Sequence, residues 1–214
     1  MTSIALASAD HADHGSSAPS PWITRWSHLL APGATVLDVA CGSGRHVQWF
    51  AQRGHPVTGV DKNTAAAKRL VPQAVLLEAD IENGPWPLPG SDGPQRFDAV
   101  VVTNYLWRPL LPTLVQSVAP DGYLFYETFA AGNETVGHPA RPAFLLQPGE
   151  LLALCAGMDV VAYENGFLDR PQRFVQRIVA CHPALPTTPA RPRARHPLSL
   201  KFPPSELLAQ HEIT

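Results

Sequence analysis

Near the start of the chain, Trp22, Ile23, Trp26, Leu29 and Leu30 fall on one helical stripe, and beyond them the apolar pattern changes to short runs separated by helix-period segments. Ser20-Pro21 marks where the first helix should begin, since Ser is a favoured N-cap and Pro suits the first helical position. Pro32-Gly33 should end it. The apolar run 35–40, the helical pattern 44–53 and the apolar run 57–61 form a strand, helix, strand unit, whose two strands must run parallel. The alternation continues with a helix over 64–70, a strand over 74–79, a Pro/Gly-rich loop over 83–94 and a strand over 97–103. A helix over 110–118 follows, then a strand over 123–128 behind the turn Pro120-Asp121-Gly122. A last helix is expected over 148–156, and strands over 159–163 and 174–180 are joined too closely for a crossover helix, so they should pair antiparallel. Repeated alternation of this kind predicts an α/β fold, a doubly wound sheet with helices on both faces.

The flanks read differently. Residues 1–19 are rich in Ala, Ser, His and Asp and carry too little apolar surface to order themselves, so a loose tail is expected there. His11 and His14 within it read as a solvated pair rather than a metal site. One folded domain should occupy 20–182, which suits a chain of 214 residues. Over 183–214 the composition turns to Pro, Arg, Ala and Thr, with Arg191, Arg193, Arg195 and Lys201 unbalanced until Glu206. A solvated polyproline-type tail is the plain reading, and docking to an acidic partner or RNA is the alternative. Sixteen Lys and Arg against eighteen Asp and Glu give a net charge of −2, which is not the footprint of a nucleic-acid binder. Cys41, Cys155 and Cys181 are too few and too scattered for a disulfide framework or a zinc site. With neither a secretory leader nor an apolar run long enough to span a bilayer, the sequence suggests a cytoplasmic protein without a membrane partner.

The most informative stretch runs from Val36 to His46, where an apolar strand enters the small residues Ala40-Cys41-Gly42-Ser43-Gly44 and then a helix. Such a turn lets backbone approach a ligand closely. Acidic residues close the neighbouring strands as well. Asp61 lies about twenty residues on, where a carboxylate can accept hydrogen bonds from both ribose hydroxyls of an adenosine, and Asp80 can face an adenine amino group while Ile81 covers the ring. Any one of these carboxylates could be an ordinary strand-end cap. Three in register, Asp38, Asp61 and Asp80, argue for a nucleoside ligand. A dinucleotide turn would need a third small residue where Val47 stands, which disfavours NAD(P).

With these motifs the chain resembles the class I methyltransferases that depend on S-adenosylmethionine (SAM). The resemblance covers residues 21–182 and rests on Leu37-Asp38-Val39-Ala40-Cys41-Gly42-Ser43-Gly44, Asp61, Asp80, Phe97-Asp98 and Pro120-Asp121-Gly122. Within the class it looks most like the small tellurite-resistance-like enzymes. It implies a Rossmann-like, mostly parallel seven-stranded sheet of order 3-2-1-4-5-7-6 with the last strand antiparallel. It also implies that Asp38, Ala40, Cys41 and Gly42 lie against the methionine part of SAM, Asp61 with Lys62 at the ribose, Asp80 and Ile81 at the adenine, and Asn104 beside the sulfonium. Two positions depart from the family pattern: the first motif glycine is Ala40, and the second glycine of the later turn is Asp121.

Acceptor-side residues should follow the fourth and fifth strands. There the sequence offers Tyr105 to orient an acceptor, and Glu127 or His138 to take a proton where the acceptor must lose one. The bland alternatives are packing for Tyr105, an arginine partner for Glu127 and an idle loop position for His138. The segment after the fifth strand is long and contains glycine, as an active-site lid would. Arg25, Arg45, Arg108 and Arg141 are candidates for the SAM carboxylate or an anionic acceptor. Trp86 is a candidate shield for the adenine, and the cysteines read as packing residues. The expected activity is methyl transfer to a small molecule or oxyanion. An RNA or protein acceptor, or a non-catalytic SAM-binding subunit, are the competing readings.

Overall fold

The computed structural model describes residues 18–184 and 195–198. The Ser20 side chain accepts the Trp22 amide, and helix α1, Pro21–Trp26, starts there and runs on as a 3-10 turn, Ser27–Leu29. Strand β1 is Val36–Val39, α2 is Arg45–Ala51, β2 is Val57–Asp61, α3 is Ala65–Leu70 and β3 is Val75–Glu78. Then come β4, Phe97–Thr103, α4, Leu111–Gln116, and β5, Val118–Phe129. Helix α5, Glu150–Leu154, and strands β6, Asp159–Asp169, and β7, Gln172–Cys181, complete the order.

The seven strands form one sheet in the order β3-β2-β1-β4-β5-β7-β6. The first five run parallel, while β7 is antiparallel to both β5 and β6. This is the expected 3-2-1-4-5-7-6 arrangement. The period-two alternation of apolar residues explains why both faces need cover. Leu37, Val39, Val100, Val102, Leu124, Tyr126 and Ile178 face the side packed by Leu111, Leu114 and Leu151 of α4 and α5. Val36, Ala99, Val101, Phe125 and Val179 face Trp22, Ile23, Trp26, Val47, Phe50 and Ala67 of α1, α2 and α3. Burying both sheet faces against helices is the condition under which parallel strands read as continuous apolar runs.

Asp98 joins the starting ends of β1 and β4: its Oδ2 accepts the Thr35 amide at 2.7 Å and the Thr35 hydroxyl at 2.8 Å. The Asp98 amide donates back to Thr35 Oγ1 at 3.1 Å.

Three elements differ from expectation. Strand β5 begins at Val118 rather than at residue 123, and the loop over 83–94 contains a two-residue hairpin, Pro89–Gly90 with Gly93–Pro94. The last two strands are longer, because their ladder continues through Gly166↔Val175, Phe167↔Phe174, Leu168↔Arg173 and Asp169↔Gln172. That extension runs beyond the core, so backbone pairing holds it and no alternating apolar pattern marks it in the sequence. The expected loose tails fall mostly outside the described residues, and so do His11, His14, Arg191, Arg193 and Lys201. Of the C-terminal stretch, His196 Nδ1 lies 3.1 Å from the Tyr123 hydroxyl, and the Pro197 carbonyl lies 3.0 Å from His28 Nε2.

Gly44 sets how closely α2 approaches α3. Its φ is +88°, and a Cβ built there would stand 2.8 Å from Ala67 Cβ. Gly44→Ala should therefore lower stability by about 1–3 kcal/mol in urea unfolding, from backbone strain and overpacking together. An unchanged midpoint would mean that the two helices separate freely.

Candidate functional site

The carboxyl ends of β1, β2 and β4 meet the turn that leads into α2. The Cys41 amide donates to the Val60 carbonyl, and the Gly44 amide donates to the Cys41 carbonyl. Within this turn Gly42 has φ +53° and Ala40 has φ +53°. Ala40 thus keeps the left-handed backbone of the glycine it replaces, at a cost of roughly 1–2 kcal/mol to an L residue. Asp121, the other departure, has φ +61°.

Asp61 pins this turn to the end of β2. Its Oδ2 accepts the Gly42 amide at 2.8 Å and its Oδ1 accepts the Asn63 amide at 2.9 Å. Asp80 organises the next turn in the same manner, with Oδ1 accepting the Glu82 and Asn83 amides at 3.0 and 3.1 Å. Its Oδ2 takes the Asn83 side-chain amide at 3.0 Å and lies 3.3 Å from Lys62 Nζ. The Asn83 hydrogen bond, the two amides and Lys62 hold this carboxyl down to about 2. Ile81 is buried beside it. Lys62 is therefore the counter-charge of Asp80 in this structure.

Asp38 Oδ2 and the Tyr105 hydroxyl are among the buried polar atoms without a hydrogen-bond partner. Asp38 is 1% exposed, and its Oδ2 makes no hydrogen bond. Burial pushes its carboxyl up to about 7, opposed by the nearby Arg45 guanidinium and reinforced by Asp61. The Tyr105 hydroxyl is also buried without a hydrogen bond. Burial, then Glu82 and after it Asp80 and Asp61, raise its pKa, so it stays protonated. Its backbone is fixed by Tyr126, whose hydroxyl donates to the Tyr105 carbonyl at 2.9 Å. Asn104 is exposed at the end of β4, with φ +54° and its amide on the Glu127 carbonyl.

Glu127 has the arginine partners of the bland alternative. It is 1% exposed; its Oε1 accepts the Ser20 hydroxyl at 3.0 Å and its Oε2 accepts Arg177 at 3.2 Å. Arg173 stands 3.7 Å from Oε1. Two guanidiniums and a hydroxyl thus hold the Glu127 carboxylate inside the protein. His138 is exposed on the loop after β5, and no described hydrogen bond or ion pair ties it to Tyr105 or to the strand-end carboxylates. The base of that loop is pinned, since buried Asn133 bonds the Pro139 carbonyl and the Phe174 amide, and Leu145 and Leu146 are buried. Arg108 is consumed by Glu150 at 2.7 Å and by the Ala143 and Leu145 carbonyls. Arg141 is exposed, and Trp86 packs against the core.

His46 was not singled out in the sequence, yet it belongs to this centre. It is 1% exposed; its Nε2 accepts the Ser20 amide at 3.0 Å and its Nδ1 lies 3.4 Å from Thr103 Oγ1. Burial, then Arg45, push it down to about 3, so the ring is neutral. Ser20 therefore caps α1, contacts His46 and contacts Glu127 at once. The only sequence signal was its N-cap position. All three cysteines are buried, and the Cys41 thiol is driven upward by burial and by Asp38, as befits a packing residue.

Comparison with known proteins agrees with this geometry. Residues 36–122 match the family model described as a methyltransferase domain. A trans-aconitate 2-methyltransferase of Delftia acidovorans is 33% identical over 103 residues, covering 44% of this chain and 38% of that one. The chain spans less than half the length of the curated relatives it matches. Among solved structures, a SAM-dependent methyltransferase from Methanosarcina mazei aligns with TM-score 0.59 at 17% identity, covering 78% of this chain and all of that one. TehB from Haemophilus influenzae aligns with TM-score 0.58 at 19% identity, covering 75% and 61%. At such identities these structures show the fold alone. Residues 36–122 thus carry a methyltransferase-domain match on a Rossmann-like α/β fold, with the small-residue turn and the strand-end carboxylates at its carboxyl edge.

The two buried titrating groups give opposite pH limbs. Asp38 ionises at 3.8 ordinarily and near about 7 in the fold, so the fold retains a proton that the unfolded chain loses, and stability falls as pH rises from about 4 to about 7. His46 ionises at 6.5 ordinarily and near about 3 in the fold, so its contribution is lost as pH falls through that window. Asp38→Asn should flatten the first limb and leave the second, as read by urea unfolding between pH 4 and 8. An unaltered first limb would show that Asp38 ionises freely.

Proposed function

We propose that the chain binds SAM across the carboxyl ends of β1, β2 and β3 and transfers its methyl group to a small-molecule acceptor. The observation that carries this reading is the buried, partnerless Oδ2 of Asp38 at the mouth of a left-handed, small-residue turn, with Asp61 and Asp80 at the next two strand ends. An unpaired buried carboxylate is costly, and a cationic ammonium is the group that satisfies it. Asp38 and the backbone of Ala40, Cys41 and Gly42 take the amino-acid end of the cofactor. Asp61 retains lone pairs for ribose hydroxyls while it holds Gly42. Asp80 acts on the adenine mainly by fixing the turn that presents Ile81, since its oxygens already serve Glu82, Asn83 and Lys62. Asn104, exposed at the end of β4, lies toward the sulfonium end.

When bound, SAM supplies a methyl group on a positively charged sulfonium that leaves as a neutral thioether. The protein's part is then alignment and exclusion of water, which can supply much of the acceleration of a displacement between two bound partners. Tyr105, kept protonated, donates a hydrogen bond that orients a ligand oxygen. With Glu127 engaged by arginines, the site suits an acceptor that arrives with its nucleophilic atom already free of its proton. The trans-aconitate enzyme is, by its name, a relative that methylates a small molecule, which supports the acceptor class.

Thermal shift with SAM, S-adenosylhomocysteine and NAD tests the cofactor. A ligand present at about a hundred times its dissociation constant adds about 2.7 kcal/mol to the folded state. Both adenosyl ligands should stabilise the protein, NAD should not, and Asp61→Asn should weaken the effect about tenfold in affinity through loss of charged hydrogen bonds. Stabilisation by NAD alone would overturn the reading.

A further inference from the structure

The arginines around Glu127 are unequally employed. Arg177 is fully engaged: it bonds Glu127 at 3.2 Å, holds Glu164 through Nε at 2.8 Å and again through Nη2, and lies over the Trp22 ring at 4.8 Å. Arg173, whose side chain is 18% exposed, has only the 3.7 Å approach to Glu127 Oε1, an oxygen that already accepts Ser20 at 3.0 Å. Its buried Nε has no partner. Arg45, half-buried at the start of α2, reaches only Thr103 Oγ1 at 3.4 Å. Desolvation lowers the Arg45 pKa, opposed by Asp38 and Glu127, and the Arg173 charge adds a smaller push in the same direction. Thr103 and Glu127 are register partners at the ends of β4 and β5, so the contacts of Arg45 with Thr103 and of Arg173 with Glu127 bring two under-bonded guanidinium forks to neighbouring strand ends, with Glu127 shared among Ser20, Arg177 and Arg173. A carboxylate or similar oxyanion matches both forks.

We propose that Arg45 and Arg173 form a binding site for a carboxylate or comparable oxyanion carried by the methyl acceptor, an inference that rests on the methyltransferase reading above. Placement selects the acceptor as the source. Asp61 ends β2 and Asp80 follows β3, on one side of β1, whereas Arg173 is the second residue of β7, beyond β4 and β5 on the other. Because β7 runs antiparallel to β5, with Glu127 paired to Arg177, the start of β7 reaches the carboxyl edge where ligands of such sheets bind. The site therefore lies past the sulfonium end of the cofactor, and it confers a preference for anionic over neutral acceptors.

The test is calorimetry on the full chain in two stages. S-adenosylhomocysteine and 5′-methylthioadenosine, which lacks the amino-acid moiety, are titrated into the wild type, Arg173→Gln and Arg173→Lys. Benzoate, malonate and trans-aconitate, each beside its methyl ester, are then titrated into the proteins saturated with S-adenosylhomocysteine. The wild-type complex should bind at least one carboxylate and no ester, with affinity reduced about tenfold or more in Arg173→Gln and partly restored in Arg173→Lys. S-adenosylhomocysteine should bind all three proteins within about threefold, which also reports that the variants are folded. Weakened S-adenosylhomocysteine with unchanged methylthioadenosine in Arg173→Gln would assign the arginine to the cofactor carboxylate and overturn the proposal. So would failure of every carboxylate on the wild-type complex, or equal binding to Arg173→Gln. Failure of S-adenosylhomocysteine on the wild type would overturn the methyltransferase reading, and this proposal with it.

Discussion

A carboxylate sits buried at the carboxyl end of the central strand with one oxygen unpaired, and the surrounding structure is arranged around that cost. Asp38 shares a sheet face with Val36, so period-two geometry turns it toward α2, where Arg45 stands. Parallel pairing to β2 and β4 holds it on both sides, at Asp38↔Gly59 and Asp38↔Val101. The group cannot swing out to water, so it either keeps a proton or receives a cation. The turn over 40–44, left-handed at Ala40, Gly42 and Gly44, follows it, and Asp61 locks that turn in place. Under the proposed reading binding and folding are coupled through a single residue: the burial that penalises the fold at neutral pH is what a cationic ligand would relieve.

A second arrangement ties the N-terminal helix to the same edge. Ser20 caps α1, hydrogen-bonds neutral His46 and reaches Glu127, and through Glu127 it meets Arg177 and Glu164 on the last two strands. Buried ion pairs are weak contributors to net stability but costly to break, so a network of this kind fixes geometry more than it adds free energy. It also leaves positive charge at the rim, because Glu127 is satisfied before Arg173 and Arg45 are. Arg177 thus serves the structure, and Arg173 and Arg45 are the arginines left to the proposed ligand site.

Much of the fold was legible in the sequence because its signals are local. Strands 57–61 and 97–103 are bounded by turn residues and read as apolar runs, and the observed β2 and β4 span those same residues. The hairpin extension over 164–173 was not legible, since backbone ladder bonds beyond the core leave no hydrophobic period. The positions of Asp38 within β1, Asp61 at the end of β2 and Asp80 just past β3 followed from local strand patterns. The fate of Glu127 could not be read, because its partners Ser20, Arg173 and Arg177 lie far off along the chain and only the antiparallel β7 brings the arginines to it. His46 escaped notice for a similar reason: within its helix it looks like any residue after the glycine turn, and its burial depends on α1 folding back over it.

The measurement that bears most directly on the central claim is a crystal structure of the protein with S-adenosylhomocysteine. The expected density places the amino group on Asp38 Oδ2, the ribose hydroxyls on Asp61 and the adenine against Ile81, with space left open between Arg45 and Arg173. Density elsewhere on the protein, or an Asp38 oxygen still without a partner in the complex, would contradict the assignment of this edge as the methyl-transfer site.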